Sequence, residues 1–106
     1  MVTINQIKQL SSQIGHLFRV DRIILFGSYA AGSSTEDSDV DLLVVMDHEG
    51  KGWQMATEIR GCTRPRFPLD LLVRTAEQLR RRLTMGDCFF KEITEKGMVL
   101  YEGTDK

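Results

Sequence analysis

Phe26-Gly27-Ser28-Tyr29-Ala30-Ala31-Gly32-Ser33-Ser34-Thr35-Glu36-Asp37-Ser38-Asp39-Val40-Asp41-Leu42-Leu43-Val44-Val45 joins a glycine–serine turn to two aspartates one residue apart. The aspartates open an apolar run, Leu42 to Met46, that reads as a buried strand over about Asp39 to Met46. Residues i and i+2 of a strand point the same way, so Asp39 and Asp41 share one face, with carboxylates roughly 6 to 7 Å apart. Like charges held that close oppose each other and gain nothing from packing. A divalent cation supplies a reason for the arrangement.

Working outward, Arg22 to Phe26 reads as the strand before the turn, and Ser28 to Ala31 as a short helical turn ahead of a loop from Gly32 to Ser38. Ile4, Ile7, Leu10, Ile14, Leu17 and Phe18 follow helical spacing behind Thr3, which predicts a capped amphipathic helix over residues 4 to 18. Trp53, Ala56, Ile59 and Arg60 suggest a second helix, with Trp53 as a core anchor. Leu69 to Val73 reads as a third, central strand. Thr75 and Gln78 match a capping box before a helix whose apolar stripe is Ala76, Leu79 and Leu83. Phe89, Phe90 and Ile93 mark another helix stopped near Gly97, and Val99 to Tyr101 an edge strand. The five methionines read as core gap-fillers. This order predicts an α+β fold, a mixed sheet layered with helices.

The 106 residues, 42% hydrophobic and 27% charged, predict one domain over 1–106 with a single core and no room for a second. A net charge of −1 argues against bulk nucleic-acid binding. The charges are nonetheless segregated. No Lys or Arg falls between Ile23 and Gly50, whereas seven arginines lie from Arg60 to Arg82. Cys62 and Cys88 form neither a CxxC pair nor a disulfide framework, and no apolar stretch approaches the ~18 residues of a membrane span. A soluble, unexported protein of the reducing cytoplasm is expected. His16 and His48 show no ligand spacing and read as structural or surface residues.

Asp70 interrupts the apolar run Leu69 to Val73, where an acid is costly to bury without a partner. With that strand beside the Asp39–Met46 strand, Asp70 would join Asp39 and Asp41 around a cation, and such all-oxygen ligation suits Mg²⁺ or Mn²⁺. Two such ions about 4 Å apart can activate a hydroxyl and neutralise phosphate oxygens during in-line displacement. Gly27 permits close approach of a ligand to the backbone, and the Ser28 hydroxyl adds a donor to a phosphate. Gly27 and Gly32 have the spacing of the glycines in GxxxxGK[ST], but Ser33 stands where the lysine must be, so a Walker-type loop is rejected.

Gly27-Ser28, ten residues, then Asp39-Val40-Asp41 resembles the minimal nucleotidyltransferases of the DNA polymerase beta superfamily. The resemblance covers about residues 20–102, through the Asp70 strand to Gly97-Met98-Val99-Leu100-Tyr101. It implies the nucleotidyltransferase fold, with Gly27 and Ser28 holding the phosphates of ATP or another nucleoside triphosphate. Asp39 and Asp41 would bind both metals, and Asp70 would complete the metal that serves the nucleophile. The chain departs from many relatives in having Ala31, not a basic residue, before Gly32, which implies either weaker phosphate binding or another arginine in its place. Arg60, Arg64, Arg66 and Arg74 are candidates, while Arg80 to Arg82 read as surface. Stand-alone proteins of this type resemble antitoxins paired with a HEPN-domain ribonuclease, some of which adenylylate a tyrosine of that toxin. The chain ends soon after the core, so an external protein acceptor is expected. A non-catalytic module that neutralises its partner sterically and transfer to a small molecule remain alternatives, and homo-oligomerisation is left open.

Overall fold

In a computed structural model that describes residues 1–103, the chain forms α1 (Ile4–Leu17), β1 (Arg22–Phe26), α2 (Ser28–Ala31), β2 (Val40–Val45), α3 (Gly52–Thr63), β3 (Leu69–Arg74), α4 (Ala76–Thr84), α5 (Cys88–Lys96) and β4 (Met98–Glu102). Local chemistry sets most boundaries. The Thr3 hydroxyl accepts the Gln6 N–H at 3.1 Å while Gln6 Oε1 accepts the Thr3 N–H at 2.8 Å, which starts α1. Thr75 and Gln78 repeat the device at α4, and the Asp87 carboxylate accepts the Phe89 and Phe90 N–H groups at α5. Alpha-helix α5 stops at Gly97, where any side chain would strike Ile24 and the Leu25 carbonyl.

The four strands lie in the order β3-β2-β1-β4, with β1 antiparallel to both β2 and β4 and β2 parallel to β3 through the α3 crossover. The sheet is therefore mixed, as expected. One face packs Ile23, Leu25, Leu42, Val44 and Val73 against Ile7, Leu10 and Ile14 of α1 and Ile59 of α3. The other packs Ile24, Leu43 and Val45 against Leu79 of α4 and Phe90 and Ile93 of α5. Strands covered on both faces read as unbroken apolar runs, which explains Ile23-Ile24-Leu25 and Leu42 to Val45. Each such side chain contributes about 1.5–3 kcal/mol on burial.

Four expectations need correction. Leu69 to Val73 is an edge strand, not a central one, because β4 pairs with β1 at the far side and nothing but β2 pairs with β3 among the described residues. An apolar run is the same for a central strand and for an edge strand flanked by helices. Asp70 is consequently exposed and carries no burial penalty. Trp53 is 66% exposed at the first turn of α3, since Ala56 and Ile59 take the face turned to the core. On α4 only Leu79 is buried, and of the methionines Met46 alone is, whereas Met1, Met85 and Met98 are exposed. The edges of α1 and β2 differ from expectation by one residue, within the ordinary fraying of such boundaries.

Candidate active site

The ladder between β1 and β2 puts Phe26 opposite Asp41, so the Gly27–Ser28 turn lands beside the first acid of β2. Gly27 has φ 77° and ψ −153°, a region that side-chain-bearing residues avoid, and the Asp41 Oδ2 atom fills the space where a Cβ would stand. Glycine is thus required there twice, by backbone conformation and by the carboxylate. Across the parallel ladder Asp41 is in register with Asp70, at a strand spacing of about 4.8 Å. Strand alternation turns both acids to the face of Leu43 and Leu72, the face covered by α5.

Asp41 is half-buried, and its carboxyl rises from the ordinary 3.8 to about 6. Burial is the main cause, followed by the charge of Asp70, a hydrogen bond to Asp70 and the charge of Asp39. The Asp39 charge is the smallest of these causes. Asp39 stands just before the first paired residue of β2, is exposed, and does not line the cleft that Asp41 and Asp70 share. Among the described residues no three His, Cys, Asp or Glu side chains converge closely enough to hold a metal ion. Of the expected trio, Asp41 and Asp70 are in register across the β2–β3 ladder, and Asp39 stands one residue before that ladder begins.

The cleft has a volume of about 930 Å³. Gly27, Ser28 and Ser33 line its wall beside the two acids, and the first amides of a helix such as α2 have no acceptor within it. The opposite wall belongs to α5, with Phe89, Glu92 and Lys96 on one helical face. Phe89 is 53% exposed and meets Phe26 edge to face, ring centroids 5.9 Å apart. Arg60, Arg64, Arg66 and Arg74 do not line the cleft; Lys96 does. Arg74 Nη1 donates to the Val73 carbonyl at 2.8 Å, and its guanidinium carbon lies 5.7 Å from the centre of the Phe90 ring. Sequence reasoning missed Lys96, although its spacing from Phe89 and Glu92 puts all three on one side of α5. His16 and His48 stay outside, as expected, and Cys62 and Cys88 are free and exposed. No described helix is long and apolar enough to cross a membrane.

Over 87 residues the chain is 32% identical to a Methanocaldococcus jannaschii protein named "Putative protein adenylyltransferase", covering 78% of this chain and 80% of that one. Its fold is similar to that in a crystal structure of "a putative nucleotidyltransferase" from Sulfolobus solfataricus, with TM-score 0.62 and 17% identity over 92% of this chain and 78% of the other. A crystal structure of a toxin-antitoxin with AMP-PNP is also similar, with TM-score 0.52 and 21% identity over 98% and 76% of the two chains. At these identities the structural likeness is one of fold. Residues 7–101, which run from within α1 into β4 and include every residue of the cleft, match the nucleotidyltransferase domain family. With Gly27-Ser28 and the Asp41–Asp70 pair facing each other across that matched region, the chain belongs to the nucleotidyltransferase domain family.

Proposed function

We propose that this protein transfers AMP from ATP to a hydroxyl group of a protein acceptor. The observation that carries the reading is the registered Asp41–Asp70 pair beside the Gly27–Ser28 turn, in a cleft within the ~300–1,000 Å³ range of small-molecule sites. The adenylyltransferase name of the M. jannaschii relative and the AMP-PNP of the toxin-antitoxin fold neighbour support the choice of nucleotide. That neighbour, a toxin-antitoxin, supports reading the chain as one member of such a pair; the antitoxin role beside a HEPN-type toxin belongs to the proposal and rests on the resemblance carried by Gly27-Ser28 and Asp39-Val40-Asp41.

Gly27 admits the triphosphate close to the backbone, and the Ser28 hydroxyl and nearby amides bind its oxygens. Lys96 supplies the cation that Ala31 does not, and Phe89 offers an apolar face to the base. The donor set fits a divalent cation: two carboxylates side by side, one pushed up to about 6 by burial and its neighbour's charge, with neither in an ion pair among the described residues. Asp41 and Asp70 would hold Mg²⁺ or Mn²⁺ there, and Asp39, at the strand start, would join them only by moving closer. Such ions neutralise phosphate oxygens and ease ionisation of a hydroxyl. In the transfer the acceptor oxygen bonds to the α-phosphorus. The bond from that phosphorus to the oxygen bridging to the β-phosphate breaks, pyrophosphate leaves with the electron pair, and the hydroxyl proton passes to solvent beside the exposed Asp70.

The test is incubation with α-labelled ATP, Mg²⁺ and the protein encoded beside it. Label should appear on that partner, and Asp41→Asn and Asp70→Asn should cost several powers of ten in rate. Tight partner binding without label from any nucleotide would instead support a steric module. Efficient labelling of a small molecule such as an aminoglycoside would overturn the protein acceptor.

A further inference from the structure

The Val40 N–H donates to the Pro68 carbonyl and the Met46 N–H to the Arg74 carbonyl, both at 3.0 Å. Backbone groups of successive strand residues address opposite edges, so Pro68, Asp70, Leu72 and Arg74 face β2, and Leu69, Leu71 and Val73 face outward. The Val73 carbonyl is taken by Arg74 Nη1, and Gly52 packs so near that a side chain there would strike it. Leu69 and Leu71 have no strand beside them on that side among the described residues. An apolar edge of this kind is a template for another strand.

Beside this edge runs a groove of about 710 Å³, lined by Lys51, Trp53, Leu71, Leu72, Arg74 and Gln78. Leu71 and Leu72 also line the catalytic cleft, so the groove and the cleft share a wall. Gly27 and Ser28 on one wall of the cleft and Lys96 on the opposite wall suit the nucleotide, which leaves the β3 side for the acceptor. From Asp70 to Arg74 the strand advances about 13 Å. Side chains four residues apart on a paired strand fall on one face, so one extended segment can reach both ends.

We propose that an extended segment of the acceptor protein adds to the β3 edge as a strand, with its hydroxyl residue level with Asp70 and an acidic residue level with Arg74 and Lys51. This rests on the transfer reading above. Main-chain bonds to Leu69 and Leu71 supply affinity, Trp53 covers apolar side chains of the segment, and the basic pair selects the acid. The wall that the groove shares with the cleft favours this occupant, because a segment seated on the β3 edge lies within reach of Asp70.

The probe is a pool of nine-residue peptides with a central tyrosine and randomised flanks, presented with α-labelled ATP and Mg²⁺. Labelled peptides should be enriched in Asp or Glu four residues from the tyrosine, on one side only. Arg74→Glu should reverse that preference towards Lys or Arg, and Trp53→Ala should raise the KM for peptide about tenfold while ATP binding stays unchanged. N-methylation at alternate peptide residues should abolish labelling, and bound peptide should slow hydrogen exchange at the Leu69 and Leu71 amides. Labelling indifferent to N-methylation and to Arg74→Glu overturns the edge as the acceptor seat and leaves the transfer reading standing. So does a protein partner that takes label while the pool takes none. A concentration-dependent dimer that protects the same amides without peptide assigns the edge to a second copy and overturns the proposal. Wild-type protein that binds no ATP overturns both readings.

Discussion

Replacing Asp41 with Asn should stabilise the metal-free protein at neutral pH while abolishing transfer. The Asp41 carboxyl titrates at about 6 in the folded chain against an ordinary 3.8, so the folded state holds its proton more tightly than the unfolded chain does. Below pH 3.8 both states are protonated and the group costs nothing. Between 3.8 and about 6 the cost of ionising it in the fold grows, and above that it is complete. Taken at face value the rise equals about 3 kcal/mol, but Asp41 is only half-buried and solvent screening reduces this to about 1 kcal/mol. Asn has nearly the same shape, so contact with Gly27 survives while the repulsion from Asp70 and Asp39 goes. For a domain of this size 1 kcal/mol moves Tm by about 4–8 °C. Melts in a chelator at pH 7.5 should show Asp41→Asn that much above wild type, with the gap closing by pH 4. Adding Mg²⁺ should raise wild type and leave the variant nearly unmoved. A variant melting below wild type at pH 7.5 without cation, or a gap unchanged at pH 4, would refute the reasoning and make Asp41 a structural acid.

Gly27→Ala should cost about 1–3 kcal/mol from its positive φ alone and also displace the Asp41 carboxylate, so both Tm and ATP affinity fall in one variant. Lys96→Gln should weaken ATP binding about tenfold yet leave adenosine binding unchanged, with Lys96→Arg restoring it; equal ATP affinity by titration calorimetry would remove Lys96 from the phosphate site. Gly15→Ala should destabilise by about 1–3 kcal/mol because a methyl group there meets the Tyr101 ring, and the double variant with Tyr101→Ala should recover part of that loss in urea melts.

Local order set what could be read along the chain. The Thr3 cap, the Thr75–Gln78 capping box, the helical spacing of Ile7, Leu10 and Ile14, and the apolar runs of β1 and β2 are short-range features, and each maps directly onto an observed element. The Gly27-Ser28 to Asp41 spacing likewise places the turn beside the strand, because a single β1–β2 ladder joins them. What the tertiary structure alone decided depends on contacts between segments far apart in sequence. β3 became an edge because β4, the last strand, paired with β1 on the other side, and that choice exposed Asp70 and opened the Trp53 groove. Lys96 reached the cleft because Gly97 lets α5 close onto β1, while the arginines chosen from sequence lie elsewhere. Asp39, equivalent to Asp41 in the sequence pattern, lies outside the ladder that holds Asp41 against Gly27 and Asp70, and periodicity contains no record of where a ladder begins.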